Sequence, residues 1–339
     1  MRTIIFFILV LFLSGCSIAN NYDALDRKKY DDRTNDACFT VRNYGSDLKE
    51  HDYIYRKHPG KILALWQNSI ETLIALGVED KIIACGGLGN ENYLKKEHRQ
   101  AYQSIKVKSR QVFSQEQVLL MQPEFILGWF FDFSGKGRSI GTTDFWEKRG
   151  TNIYMNLMNG AEFKSVHTLD DEIKYIRDVG KIVAKEEKAQ AIISSMERKI
   201  NDTKAKLKNK KPLRVLIVSS FMKNISIYTP RTLPGNIVTM LGAETLGKEF
   251  ERVGEDEFIS YEEILMMNPD VIFFSSAPER DKLILQRLQN HPVMRKLRCV
   301  KNNNYYTIPF YTIRSPGVRV VDAVDIFADG ISKAVKNYQ

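Results

Sequence analysis

The residues able to do chemistry are scarce in one class and plentiful in another. The 339-residue chain has five histidines, His51, His58, His98, His167 and His291, and no two stand at the spacing of a metal-ligand pair. Capture of a bare zinc or manganese ion needs two or three His with carboxylates, so no metal site is expected. Neither G-x-S-x-G nor H-E-x-x-H occurs, and Ser219 and Ser220 after "VLIV" read only as a strand end, which argues against an exported hydrolase. Gly86, Gly87 and Gly89 follow neither the dinucleotide nor the phosphate-loop spacing. Cys38, Cys85 and Cys299 show no metal spacing and no disulfide framework, so isolated thiols are expected.

What recurs is arginine beside aromatic residues. "WQ" at Trp66, "WFFDFSGKGR" from Trp129 to Arg138, "FMKNISIYTPR" from Phe221 to Arg231 and "FYTIR" from Phe310 to Arg314 each follow a short apolar run. That mixture suits a large, partly aromatic anion, because a guanidinium pairs with carboxylate or phenolate oxygens and also stacks on rings. Trp66, Trp129, Phe130, Arg138, Tyr228, Arg231, Tyr311 and Arg314 are the candidate ligand-binding residues. Four aromatics in the five positions from Trp129 to Phe133 exceed what a solvated loop carries, so this stretch is expected to line a pocket or form a lid.

The elements that must position them alternate. From Lys61, "KILALW" is short and apolar, "SIETLIALG" has helical spacing and ends at Gly77, and "KIIAC" is apolar again. Such alternation argues for parallel sheets covered on both faces, and ligands then bind beyond the carboxyl ends of the strands. One element occurs twice: "SQEQVLLMQPEFILGW" begins at Ser114 and "SYEEILMMNPDVIFFS" begins 146 residues later at Ser260. In each, the Ser is expected to cap a helix with Gln117 or Glu263 closing the capping box, and Pro123 or Pro269 then ends it. Val118, Leu119 and Met121, like Ile264, Leu265 and Met267, are expected on the buried side. Between the copies, "TLDDEIKYIRDVGKIV" aligns Ile173, Ile176, Val179 and Ile182, and the following stretch aligns Ala189, Ile192, Ile193, Met196 and Ile200. A helix over 185–208 would reach about 36 Å, enough to cross between two lobes.

The chain opens "MRTIIFFILVLFLSGC", an apolar run too short to span a bilayer as a helix and therefore read as a signal peptide. Its end, Leu-Ser-Gly-Cys, resembles the lipobox of bacterial lipoproteins, which implies a lipid anchor on Cys16. The polar stretch that follows reads as a tether. The expected organisation is a signal peptide at 1–15, a tether at 16–37, a first lobe at 38–166, a helical region at 167–210 and a second lobe at 211–339. The formal charge of +9 is scattered, with its densest cluster at Lys204 to Lys211 by a helix end, so nucleic acid is not the expected partner.

In this order, "NSIETLIALGVEDKIIACGG", "SQEQVLLMQPEFILGW", "GNIVTMLGAETLG", "SYEEILMMNPDVIFFS" and "HPVMRKLRCVKNNNYYTIP" resemble the solute-binding lipoproteins of iron-siderophore, haem and cobalamin ABC importers. The resemblance runs from Lys61 to the C-terminus. It implies an α/β fold of two Rossmann-like lobes with parallel sheets joined by one long helix, class III periplasmic-binding-protein-like. It implies a binding protein, not an enzyme, that captures a chelated iron complex such as a ferric siderophore in the interlobe cleft, with no cofactor of its own. A corrinoid, or haem held axially by Tyr228, Tyr311 or Met222, is the alternative cargo; an exported hydrolase or an adhesive lipoprotein are the rival classes. The implied partners are an ABC permease dimer with its cytoplasmic ATPase and the membrane that holds the lipid, with the chain itself a monomer outside the cytoplasm. The family's docking acids match Glu116 and Glu262, one per repeat, whereas Glu263 is expected to serve its cap.

Overall fold

Apolar runs of four to six residues become buried strands here, and the amphipathic stretches between them become the helices that cover them. A computed structural model describes residues 39–156, 166–207, 212–221, 224–250, 258–314 and 316–338. The lipobox Cys16, the signal peptide, the tether, Cys38 and Met222 lie outside the described residues.

A hairpin, β1 (Phe39–Tyr44) and β2 (Glu50–Tyr55), precedes the first sheet. That sheet is wholly parallel, in the order β5-β4-β3-β6-β7, from β3 (Ile62–Leu65), β4 (Ile82–Gly86), β5 (Val107–Lys108), β6 (Phe125–Trp129) and β7 (Asn152–Asn156). Its helices are α1 (Trp66–Ala75), α2 (Lys96–Ser104), α3 (Gln115–Met121), α4 (Phe130–Phe133) and α5 (Thr143–Glu147). Two helices then connect the lobes, α6 (Leu169–Ile182) and α7 (Glu186–Leu207).

The second sheet runs β11-β9-β8-β12-β13, with β10 beside β8. It contains β8 (Arg214–Phe221), β9 (Ile225–Tyr228), β10 (Glu244–Thr245), β11 (Phe258–Ile259), β12 (Val271–Ser276) and β13 (Tyr305–Pro309). Its helices are α8 (Leu233–Met240), α9 (Tyr261–Met267), α10 (Asp281–Asn290), α11 (Arg298–Lys301) and α12 (Val320–Asn337). Strands β8, β10, β12 and β13 are parallel, but β9 returns antiparallel to β8 and β11 pairs antiparallel to β9. "ISIY", within the stretch that follows the apolar run of β8, is itself a strand because Ile225, Ile227 and Tyr228 bury against β8.

The duplicated element folds twice in the same way. Ser114 and Gln117 form a full capping box on α3, and Ser260 and Glu263 form another on α9. Each helix ends on a left-handed residue, Gln122 at φ 48° and Asn268 at φ 42°, just before its proline. Val118 and Ile264 are fully buried, but Leu119 and Leu265 are 39% and 42% exposed, contrary to expectation. A residue one step along a helix lies about 100° round from its neighbour, so a seven-residue helix anchored at Val118 turns Leu119 outward.

Helix α6 stops at Ala184, which takes φ 56°, and Lys185 N–H closes the turn on Gly180 O at 2.8 Å. Gly180 lies directly against the Ala189 side chain, so α7 doubles back in close contact with α6. The predicted interlobe helix is α7; α6 adds a second crossing, touching β1 through Lys174 and Lys181 and α8 through Asn236. The outer face of each sheet has its own apolar cluster, around Leu63, Ile126 and Trp146 in one lobe and Leu216, Phe274 and Met294 in the other. The inner faces share a third, which runs without a break from Ile62 and Leu73 through Ile176 and Ile193 to Ile217, Phe273 and Val324.

Candidate ligand-binding site

Neighbouring strands β3 and β6 bring together the two tryptophans singled out in the sequence, Trp66 just after β3 and Trp129 as the last residue of β6. Trp66 and Trp129 stack face to face with ring centroids 4.6 Å apart and planes 8° from parallel. Trp66 holds φ at 72°, a left-handed conformation that costs a bulky residue on the order of 1 to 3 kcal/mol. Asp132 fixes the pair: its Oδ2 accepts from Trp66 Nε1 at 2.8 Å and from the Trp129 N–H at 2.7 Å. Trp129 Nε1 donates to Asn68 Oδ1 at 3.1 Å. Two glycines make room, since a Cβ on Gly87 would lie 2.9 Å from the Trp66 ring and one on Gly128 would lie 2.8 Å from Asp132 Oδ2. Burial drives the Asp132 carboxyl up to about 6, although both N–H donors pull the other way. Phe130 is half-buried beside the stack, Phe131 is 56% exposed, and Arg138 stands exposed on the loop that follows.

On the second lobe Arg314 and Tyr228 come together, with Arg314 Nε donating to Tyr228 Oη at 3.0 Å. Tyr228 is buried while Arg314 stays exposed. Arg231 is half-buried, and its carbonyl accepts from the His167 N–H at 2.8 Å, so its backbone belongs to the joint between lobes. Tyr311 is buried under Tyr93 of the first lobe, the rings 4.9 Å apart and 26° from parallel. Tyr93 also meets Phe310 edge-on and donates its hydroxyl to Glu279 at 2.6 Å. These contacts bring the segment after β4 against those after β12 and β13, so the carboxyl edges of the two sheets face each other.

Behind that contact lies a buried polar joint. Glu71 of α1, fully buried, pairs with Arg319 Nη1 at 3.1 Å and His98 Nδ1 at 3.0 Å, accepts from the Lys95 N–H at 2.6 Å and is bonded by Gln67. Burial pushes the Glu71 carboxyl up, but the His98 ring, the Arg319 guanidinium and the Lys95 N–H outweigh it and hold it below the usual range. Arg319 also donates to Tyr93 O at 2.6 Å and pairs with Asp322, and its guanidinium lies over the Tyr311 ring. A second buried carboxylate, Glu172 of α6, accepts from the Gly317 N–H at 2.6 Å and meets His167 Nε2 at 2.8 Å. Two carboxylates from two helices thus converge on one turn, Gly317–Arg319.

Of the predicted residues, the structure brings together Trp66 with Trp129 and Tyr228 with Arg314, and it packs Tyr311 into the interlobe contact. Of the tyrosines offered to haem, Tyr228 accepts from Arg314 Nε at its hydroxyl, and the Tyr311 ring is stacked under Tyr93. Glu116 and Glu262 are exposed in the first turns of α3 and α9, as the resemblance implied, and Glu263 is the cap partner. Asp132 and Asn68 were not singled out in the sequence; the spacing Trp129-x-x-Asp132, that of a helix cap and its acid, was the available signal. Among the described residues no group of three His, Cys, Asp or Glu could hold a metal ion. Cys85 and Cys299 are buried free thiols, each raised to about 12 by burial.

The geometry has counterparts. Residues 62–312 match the family model for periplasmic binding protein. An uncharacterised ABC transporter substrate-binding lipoprotein of Bacillus subtilis, YvrC, is 21% identical over 95% of each chain. A periplasmic binding protein from Veillonella parvula superposes with a TM-score of 0.76 at 30% identity, over 86% of this chain and 91% of that one. The structure of an ABC-type Fe3+-hydroxamate transport system from Saccharomonospora viridis superposes with a TM-score of 0.70 at 16% identity, over 86% and 98% of the two chains. With two facing lobes and a family model that matches residues 62–312, the chain belongs to the periplasmic binding protein family, whose members bind substrates for transporters and are not enzymes.

Proposed function

We propose that this chain is the substrate-binding lipoprotein of an ABC importer, that it captures a ferric siderophore between its lobes, and that it delivers the complex to a membrane permease. The observation that carries the ligand class is the Trp66–Trp129 stack at the carboxyl edge of the first sheet, locked by buried Asp132. A strained, stacked and partly exposed aromatic pair is an expensive way to build a core and a suitable floor for a large ligand with ring character. Exposed Arg138 and Arg314 add cationic donors suited to the oxygens of an anionic chelate. The likeness to the Fe3+-hydroxamate system supports an iron chelate, and the name of the Bacillus subtilis relative supports lipid anchoring, here through Cys16, outside the cytoplasm. Glu116 and Glu262 dock the two lobes on the permease dimer, which works with a cytoplasmic ATPase.

A flat macrocycle, corrinoid or haem, is the second reading, favoured by the same parallel ring pair. Tryptophan fluorescence separates them when the protein is titrated with ferric hydroxamate and catecholate siderophores, cobalamin and haem. Saturable quenching by a ferric siderophore, weakened by Arg138→Ala or Arg314→Ala, is the expected result. Saturation by cobalamin or haem alone overturns the siderophore reading.

A further inference from the structure

Nine large hydrophobic side chains stand out as exposed among the described residues, and four of them fall on the two seven-residue helices of the repeat. The two most exposed are Leu120 at 85% and Met266 at 84%. They occupy the same register, 146 residues apart, as do their half-turned neighbours Leu119 and Leu265. A single exposed apolar residue needs no explanation, but the same one at both copies of a duplicated surface does. The fold makes no use of either, because Val118 and Met121 already seat α3, and Ile264 and Met267 already seat α9.

Each apolar residue also has a fixed companion. Glu116 precedes Leu120 by four positions and Glu262 precedes Met266 by four, so each acid and its apolar neighbour share one helix face about one turn apart. All four side chains are exposed. We propose that each outer helix carries a composite contact, a carboxylate with an apolar knob one turn beyond it, and that the pair docks on an integral-membrane permease dimer whose two subunits each present a basic residue beside an apolar socket. This rests on the importer reading above and adds the apolar half of the interface. The acid at each knob disfavours an anionic bilayer as occupant, since the carboxylate would meet lipid phosphates. It equally disfavours a second copy of this chain docked through the same helices, acid against acid. Two like patches on one chain fit a partner that is itself two-fold symmetric. The carboxylates steer and orient, and the knobs supply apolar area that leaves water only on contact.

The test uses the full-length chain in its own cells, with photoreactive p-benzoylphenylalanine in place of Leu120 or Met266. After irradiation, mass spectrometry should identify the same ABC permease subunit bound at both positions, while the same probe at exposed Leu283 on α10 leaves it unlabelled. Leu120→Ser combined with Met266→Ser should lower the permease recovered with the chain about tenfold or more, with Tm unchanged. If charge reversal of Glu116 and Glu262 releases the permease and the serine pair does not, the apolar contact is wrong and the importer reading stands. If no variant or probe position captures a permease, the importer reading falls with it. Adducts only with lipid, or only with a second copy of the chain, overturn the proposal in favour of those occupants.

Discussion

The outer helices of the repeat and the joint between the lobes are built on opposite plans. Helices α3 and α9 are each settled within one short stretch, by a serine, its partner three residues on, one buried aliphatic and a closing proline. The joint gathers Glu71 from α1, Glu172 from α6 and the turn Gly317–Arg319, and Glu71 meets Arg319 across 248 positions of sequence. The local plan leaves side chains outside and rests on increments of about 1 kcal/mol, so a contact surface can be retuned without disturbing the fold. The long-range plan buries charge, and each buried charge depends on every partner being in place. A surface that must be read by another protein and a joint that must not move are thereby kept apart.

The largest effect should come from breaking the joint. Arg319→Met removes the cation that reaches Glu71 from the second lobe, and it also frees Tyr93 O and Asp322. Removing one partner of a buried ion pair costs about 3 to 5 kcal/mol, because the remaining charge stays buried without compensation. Urea denaturation at neutral pH should show a loss of that size. A loss below about 1 kcal/mol would mean that the joint is no more demanding than the outer helices, and the contrast would collapse.

A smaller effect separates two buried carboxylates by the sign of their pH dependence. Asp132 keeps its proton to about 6 in the folded chain, whereas the unfolded chain gives it up near 4. The native state therefore binds the extra proton, and stability should fall as pH rises from about 4 to 6, by on the order of 2 kcal/mol. Glu71 runs the other way: its contribution is present above the ordinary glutamate range and is lost as pH falls below that range, through the lowered value of the folded chain. Asp132→Asn retains an oxygen for Trp66 Nε1 and the Trp129 N–H and cannot ionise. In thermal melts across this range the variant should lose the decline above pH 4 and keep the loss on the acid side. A decline that persists unchanged would assign it to another group.

Smaller still are the caps. Ser114→Ala and Ser260→Ala should each cost about 1 kcal/mol, and nearly the same amount, because the two capping boxes share one geometry. Equal losses in urea denaturation would sharpen the view that the copies are independent local units. A much larger loss at one copy would show that its helix is tied into the long-range framework after all.

These plans also explain what could be read from the sequence. The repeat, its caps, the buried strands and the places of Trp66 and Trp129 at strand ends were legible because period and spacing are local; the stacking of the two rings was not, because it depends on β3 and β6 being neighbours in the sheet. Leu119 and Leu265 were misplaced because a helix of two turns buries a narrower stripe than a long one. Strand β9 was missed because four residues of alternation inside a polar loop carry little signal, and its partner β8 decides the matter. Glu71, Glu172 and Arg319 gave no sign at all: an acid within an apolar helix and an arginine before another look like surface charges until the chain is folded. Asp132 lay between, since the cap spacing was visible but not the second tryptophan it serves.

The smallest effect concerns shape. One crossing helix would already resist a wide hinge, and the structure adds a second crossing helix, a shared core and two buried carboxylates held by one turn. Closing the lobes as a hinge would have to shear that core, so ligand-linked motion should be confined to loops such as that carrying Arg138. Small-angle scattering should show no resolvable compaction when a saturating ligand is added to the native chain. The Arg319→Met variant tests the cause: if the joint is what stiffens the cradle, that variant alone should gain a measurable change on binding. If the native chain compacts as much as the variant, the crossing helices and their buried acids do not lock the lobes, and the joint serves stability without setting the motion.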